Sequence, residues 1–163
     1  MKTTRKPGLR MGPSRLLPIA CLVLLVAGPV HAQAAQSCDG RGAGADTSEA
    51  WQRRVAAADP AAGERLFRAC SVCHSAEFAG PNMVGPNLWG IVGRPVASAE
   101  GFSYTTAMTL HRDAIGEWSL CRLDSYLANP QADVPGTSMM YRGMVDPADR
   151  LDLLAYLMTL SVD

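Results

Sequence analysis

The pentapeptide CSVCH, running from Cys70 to His74, constrains this chain more than any other stretch. It sets two thiols three positions apart and follows the second at once with an imidazole, in a chain that has only three histidines. Three chemistries use such a cluster. A Cys-x-x-Cys pair serves redox dithiols and zinc sites, and the same pair followed directly by His is the attachment signal of c-type haem. The rest of the sequence has to discriminate among them.

The N-terminus points to the compartment. MKTTRKPGLRMGPSR supplies five cations and no acid, LLPIACLVLLVAG is an apolar run from Leu16, and Pro29 precedes VHA, a small-x-small pattern ending at Ala32. This reads as a secretory signal over residues 1–32. A cut after Ala34, at AQA, is an alternative, as is a start at Met11. A membrane-spanning helix needs about 20 apolar residues, and this run is shorter and broken by Pro18. The expected location is therefore the periplasm. Loss of the signal removes Lys2, Arg5, Lys6, Arg10 and Arg15, leaving ten arginines, no lysine and fifteen acids, a net charge of −5. Nucleic acid or an anionic membrane calls for a basic patch. Neither is expected as a partner, nor is stable membrane insertion after cleavage.

Export narrows the cysteine chemistry, because both haem attachment and disulfide formation proceed in an oxidising compartment. Cys21 leaves with the signal; Cys38, Cys70, Cys73 and Cys121 remain. A closed zinc site takes four protein ligands, but there is no second Cys-x-x-Cys pair, and His111 is the one other histidine left beyond the signal. A thioredoxin-like dithiol needs a strand before the motif, and the preceding segment reads as helix. There Asp59 can cap, Pro60 suits the first turn, and Leu66, Phe67 and Cys70 share a face of a helix over 60–70. Gly63 inside it costs about 1 kcal/mol relative to alanine, which fits either a frayed turn or close contact with another helix.

Two more helices are predicted. DPADRLDLLAYLMTL carries Asp146 as cap, Pro147 at the first position and Asp149 in the first turn, and should run to about Leu160. Leu151, Leu154, Ala155 and Met158 form one stripe, and Leu153, Leu157 and Leu160 widen it, so most of this helix should be buried. EWSLCRLDSYLANP has Ser119 as cap, Leu120, Leu123 and Leu127 on one face, and Asn129-Pro130 as a stop. The connections GPNMVGPNLWGIVGRP and ADVPGTSMMYRGM are too rich in glycine and proline for regular elements. Loops this long in one compact domain need something to pack over, and a large apolar cofactor would supply it. At 163 residues and 48% hydrophobic content, one domain is expected.

CSVCH, GPNLWGIVGR, GFSY, Trp118 eight residues before Tyr126, YLANP, VPGTSMM and RLDLLAYL follow one another in an order that resembles the class I c-type cytochromes, in particular the mitochondrial and related bacterial soluble cytochromes c. The resemblance covers about residues 60–160. It implies an all-α cytochrome c fold, with helices and long loops wrapped around one covalently bound haem. Residues 1–32 would be signal peptide, 33–59 a mobile N-terminal extension, and 60–163 the cytochrome c domain.

Site roles implied by the resemblance carry over by residue. Cys70 and Cys73 form thioethers to a single haem c, and His74 ligates its iron. Met139 of the PGTSM segment is the second axial ligand, a choice between Met139 and Met140 that composition alone leaves open. The Pro86 carbonyl accepts from the His74 imidazole. Tyr126 and Thr137 belong to a polar network beside the methionine. Arg94, Tyr104 and Trp118 match the groups that satisfy the buried propionates. Gly63 and Phe67 match a crossing of the first helix over residues like Leu153 and Tyr156 of the last. With iron ligated on both sides, the expected function is a periplasmic one-electron carrier, a monomer that works with redox protein partners as donor and acceptor. No catalytic residue is assigned. The alternative is a haem-based ligand sensor or peroxidase in which the methionine is displaced.

Several features depart from the mitochondrial pattern. Gln131, Ala132 and Ser138 stand where that pattern carries lysines around the haem edge, so charge steering of a partner should be weak. The stretch from Tyr104 to Trp118 is a few residues longer, and Met108 replaces an asparagine of the inner water network. Cys38 and Cys121 either form a disulfide or serve as a free or intermolecular thiol and a small buried apolar residue, respectively. TSEAWQRRVAAA reads as a short helix capped by Thr47 or Ser48, with Trp51 packing on the domain. His111 reads as an exposed loop residue.

Overall fold

The structure is a computed structural model and describes residues 48–161. The expectations for the signal, Cys38 and Thr47 lie outside those residues. The six helices among the described residues are α1 (Ser48–Ala56), α2 (Pro60–Phe67), α3 (Thr106–Ile115), α4 (Leu120–Ala128), α5 (Pro130–Asp133) and α6 (Pro147–Thr159). The extended pairing among them is a single isolated bridge between Pro95 and Glu117.

Three of the predicted helices, α2, α4 and α6, start where their cap chemistry says they should. The side chains of Asp59, Ser119 and Asp146 accept from the amides of Ala61, Arg122 and Ala148, at 2.9, 3.4 and 2.8 Å. These bonds satisfy amides that no helical carbonyl can reach. α2 stops at Phe67, before the 70 expected, because residues 68–73 tighten into turns that carry the two thiols.

α2 crosses α6, and Gly63 makes the approach close. A methyl group there would overlap the Asp152 carbonyl and stand 2.8 Å from Tyr156 Cβ. Phe67 packs against Tyr156 with ring centroids 5.2 Å apart and the ring planes tilted by 51°. Leu153, expected at this crossing, is buried and lines the interior cavity. Leu153, Leu154 and Leu157 are all buried on α6, each worth about 1.5–3 kcal/mol. Met158, assigned to the same stripe, is instead exposed.

α4 is fixed to α6 by a two-pronged ion pair. Arg150 Nε and Nη2 donate to the two Asp124 carboxylate oxygens at 2.8 and 3.3 Å, and Nη1 donates to the Met144 and Val145 carbonyls. A fork of this kind is geometrically specific as well as favourable. α1 packs on α4 and α6, with Trp51 and Val55 each 2% exposed and the Arg54 guanidinium 4.3 Å from the Trp51 ring centre. Residues 48–56 of the expected mobile extension therefore form a docked helix.

Two elements were not foreseen. α3 is capped by Thr105, whose hydroxyl accepts from Met108 N at 3.2 Å, and the long Tyr104–Trp118 stretch is largely this helix. His111 lies on it, not in an exposed loop; its side chain is mostly buried, 3.8 Å from the Asp133 carboxylate and against the Trp118 ring. α5 is a single turn capped by Asn129. No helix among the described residues is long and apolar enough to cross a membrane.

Cys121 is buried in α4 and disulfide-bonded. It is thus half of a cystine, rather than a free buried residue, and its partner lies outside the described residues. Cys70 and Cys73 are free thiols.

Candidate haem site

The helices and the loop 68–105 enclose one apolar cavity of about 370 Å³, within the size range of cofactor sites. All ten residues singled out in the sequence line it: Cys70, Cys73, His74, Pro86 and Arg94 from the segment that follows α2, and Tyr104, Trp118, Tyr126, Thr137 and Met139 from further along the chain. Leu123 and Leu127 of α4 and Leu153 and Leu157 of α6 supply apolar wall.

The thiols reach the cavity because α2 ends in turns. Cys70 N bonds to the Phe67 carbonyl, and the amides of Cys73 and His74 both return to the Cys70 carbonyl at 3.0 Å. That fold places the two sulfurs and the imidazole on one side. Burial, and then the neighbouring Cys73, push the Cys70 thiol up to about 11. In the bare polypeptide it is a protonated thiol.

His74 Nδ1 donates to the Pro86 carbonyl at 2.6 Å, which leaves the lone pair on Nε2. Burial lowers its pKa below the usual imidazole range, against the raising effect of the Pro86 carbonyl and reinforced by the Arg94 charge. A neutral imidazole with its other nitrogen so anchored is the form that binds metal. The Gly85 amide donates to the Cys73 carbonyl at 2.8 Å, which brings its backbone against the ring. A methyl at Gly85 would overlap Cε1 and lie 2.6 and 2.7 Å from the two ring nitrogens. Sequence reading missed Gly85; its place directly before Pro86 was the available signal.

The methionine side is held by a second polar set. Tyr126 Oη and Thr137 Oγ1 are 2.9 Å apart, and Met139 N donates to Thr137 Oγ1 at 3.3 Å. Gln131 Nε2 donates to the carbonyls of Thr137 and Met139 at 3.1 and 3.0 Å. Gln131 was read only as a missing lysine, yet it ties α5 to this loop. Met139 is partly buried and packed on the core, whereas Met140 is 90% exposed. Met144 is buried and packs in the core.

Arg94 and Trp118 are neighbours through the backbone: Trp118 N donates to the Arg94 carbonyl and Gly93 N to the Trp118 carbonyl, each at 2.9 Å. Arg94 Nη1 donates to the Trp89 carbonyl at 3.0 Å. Its Nε is buried without a hydrogen-bond partner, and burial lowers its pKa. An unsatisfied buried cation is costly, so this corner fits an anionic group. Tyr104 faces the same cavity, its hydroxyl accepting from Ala99 N at 3.2 Å. Met108 is buried and lines the cavity, with a thioether where a polar group was in question.

A helical shell with two free thiols, an anchored neutral imidazole and a lone guanidinium facing one apolar cavity is the architecture of a c-type haem protein. The chain belongs to the cytochrome c family, whose sequence model matches residues 60–161. It is 48% identical over 103 residues to a protein of Rhodobacter capsulatus named cytochrome c-type cyt cy, a match covering 63% of this chain. That match spans about half, 49%, of the relative's length. It is 40% identical over 104 residues to cytochrome c2 of Rhodomicrobium vannielii, covering 64% of this chain and 81% of that one. Cytochrome cH from Methylobacterium extorquens superposes with a TM-score of 0.56 at 38% identity, over 62% of this chain and 98% of that chain. The fold is the all-α cytochrome c fold. Family membership implies covalently bound haem c, and the free thiols, the apolar wall and the unpaired Arg94 Nε fit that group.

Proposed function

We propose that this protein is an exported, periplasmic one-electron carrier with one haem attached through Cys70 and Cys73 and axial ligands from His74 and Met139. The observation that carries the proposal is that His74 and Met139 line the same apolar cavity, each held by its own hydrogen bonds. Haem, when bound, would supply a single-electron redox centre, which His74 and Met139 would hold from the two sides of the cavity. The chain's own residues do the rest. Cys70 and Cys73 tether, His74 is oriented by Pro86, and Arg94 offers its guanidinium to a propionate. The anchored Met139 loop keeps a soft thioether at hand, which favours ferrous iron. The leucines of α4 and α6 exclude water, so little rearranges on electron transfer. The carrier works as a monomer with a redox donor and a redox acceptor.

The test is the visible spectrum of the matured protein. A low-spin haem with a methionine-to-iron charge-transfer band at the red edge is expected, and Met139→Ala should abolish the band while Met140→Ala keeps it. A five-coordinate, high-spin spectrum that shifts with carbon monoxide would replace the carrier with a ligand sensor or peroxidase.

A further inference from the structure

The mouth of the cavity is edged by side chains that a monomeric surface ordinarily hides. Val72, Val84 and Met140 line the cavity and are 71%, 80% and 90% exposed. Met83, beside Val84, is also exposed. They come from three separate segments, so their meeting at one opening is a product of the fold. The charged side chain lining this cavity is Arg94, which is partly buried, and the His74 imidazole beside it is neutral. Outside Met140 the surface continues through the neutral amides of Gln131 and Asn129, with Arg142 at its edge. Exposed apolar groups clustered around an opening mark a site of association.

We propose that this apolar rim is the docking face of the protein, and that its partner is a redox protein whose own contact patch is apolar and uncharged. The inference rests on the carrier reading, because the rim matters only where the cofactor edge approaches the surface. Charge complementarity selects the partner's chemistry: among the residues lining the cavity and the surface beside it an acidic patch would find two guanidiniums, Arg94 and Arg142, and desolvating its other carboxylates against valine and methionine would cost free energy with no return. Association would be driven by apolar burial and would respond weakly to salt. The rim is formed by side chains around a concave opening, not by an exposed apolar helix face, which favours a protein over a lipid surface.

The probe is the matured holoprotein on gold electrodes carrying alkanethiol monolayers ended in methyl and hydroxyl groups, or in carboxylates. Electroactive coverage is read by voltammetry at low and high salt. We expect at least fivefold greater coverage on the methyl surface, changing by less than about twofold with salt. Val84→Ser with Met140→Ser should lower it at least fivefold with an unchanged visible spectrum, whereas Val145→Ser, an exposed apolar residue off the cavity, should not. Greater coverage on carboxylates, equal coverage for the double variant, or an equal loss in the Val145 control overturns the proposal. So does sedimentation of the holoprotein with phosphatidylcholine vesicles, which would reassign the rim to lipid. A protein lacking haem absorbance would instead refute the carrier reading.

Discussion

Tyr126 and Thr137 hold the Met139 loop, and removing either one weakens it by a different amount. In Tyr126→Phe the 2.9 Å bond between the two hydroxyls is lost, but Thr137 Oγ1 still accepts from Met139 N at 3.3 Å. No oxygen is left without a partner, so the cost is that of one net hydrogen bond, about 1 kcal/mol. Thr137→Val is worse. It strips the acceptor from Met139 N and leaves the phenol of a buried tyrosine without its partner, a cost of about 2–3 kcal/mol. If both losses fall on the loop-closed state, the loop opens about fivefold more readily in the first variant and about 30- to 150-fold in the second. Imidazole added to the ferric holoprotein competes with Met139 for iron, so its apparent affinity reads loop opening directly. Affinity should rise by those factors in that order, and the double variant should fall short of their product because the two share a bond. Wild-type imidazole affinity in Thr137→Val would refute the network as the anchor of the loop.

Gly85→Ala should displace the His74 ring from Pro86 and cost about 1–3 kcal/mol by overpacking, read as a lower guanidinium midpoint of the holoprotein; an unchanged midpoint would contradict the close approach. Replacing Arg94 by Gln removes a cation beside the cofactor and should lower the reduction potential, measured by protein-film voltammetry, because ferric iron gains from the loss of positive charge. His111 has its pKa lowered by burial, so below about 6.5 the unfolded chain takes up a proton that the folded chain refuses. Stability should therefore be full above that pH and fall on acidification toward the depressed folded value, and His111→Gln should flatten the midpoint temperature of the holoprotein across that window. Alkylation under denaturing conditions without reductant should spare Cys121, and label it after reduction; labelling without reductant would argue against the cystine.

Where the sequence was legible, one local rule agreed with the tertiary outcome. Asp59-Pro60, Ser119 and Asp146-Pro147 each marked a helix start, because a cap acts on amides a few residues away. The cavity wall was legible through CSVCH and the motifs downstream of it. α3 was hidden, since TAMTLHRDAI mixes apolar and polar residues without a clear stripe and is held by Thr105 at one end and Gly116 at the other. His111 was misjudged for the same reason: with no helix beneath it, nothing placed it against Trp118. Met158 obeyed the periodicity of α6, yet periodicity cannot say which member of a wide apolar face stays exposed. Gln131 acts through backbone carbonyls of another segment, Gly85 through the ring of His74, and Cys121 through a disulfide. None of these leaves a trace in local spacing.

The most direct test of the account is the intact mass of the protein purified from a host that matures c-type cytochromes, with wild type compared with Cys70→Ser/Cys73→Ser. The wild type should weigh its polypeptide plus one haem, retained after denaturation and extraction with acidified organic solvent, and the variant should lose haem under the same treatment. A wild-type polypeptide of bare mass from that host would contradict the claim that the cavity is built around a tethered porphyrin.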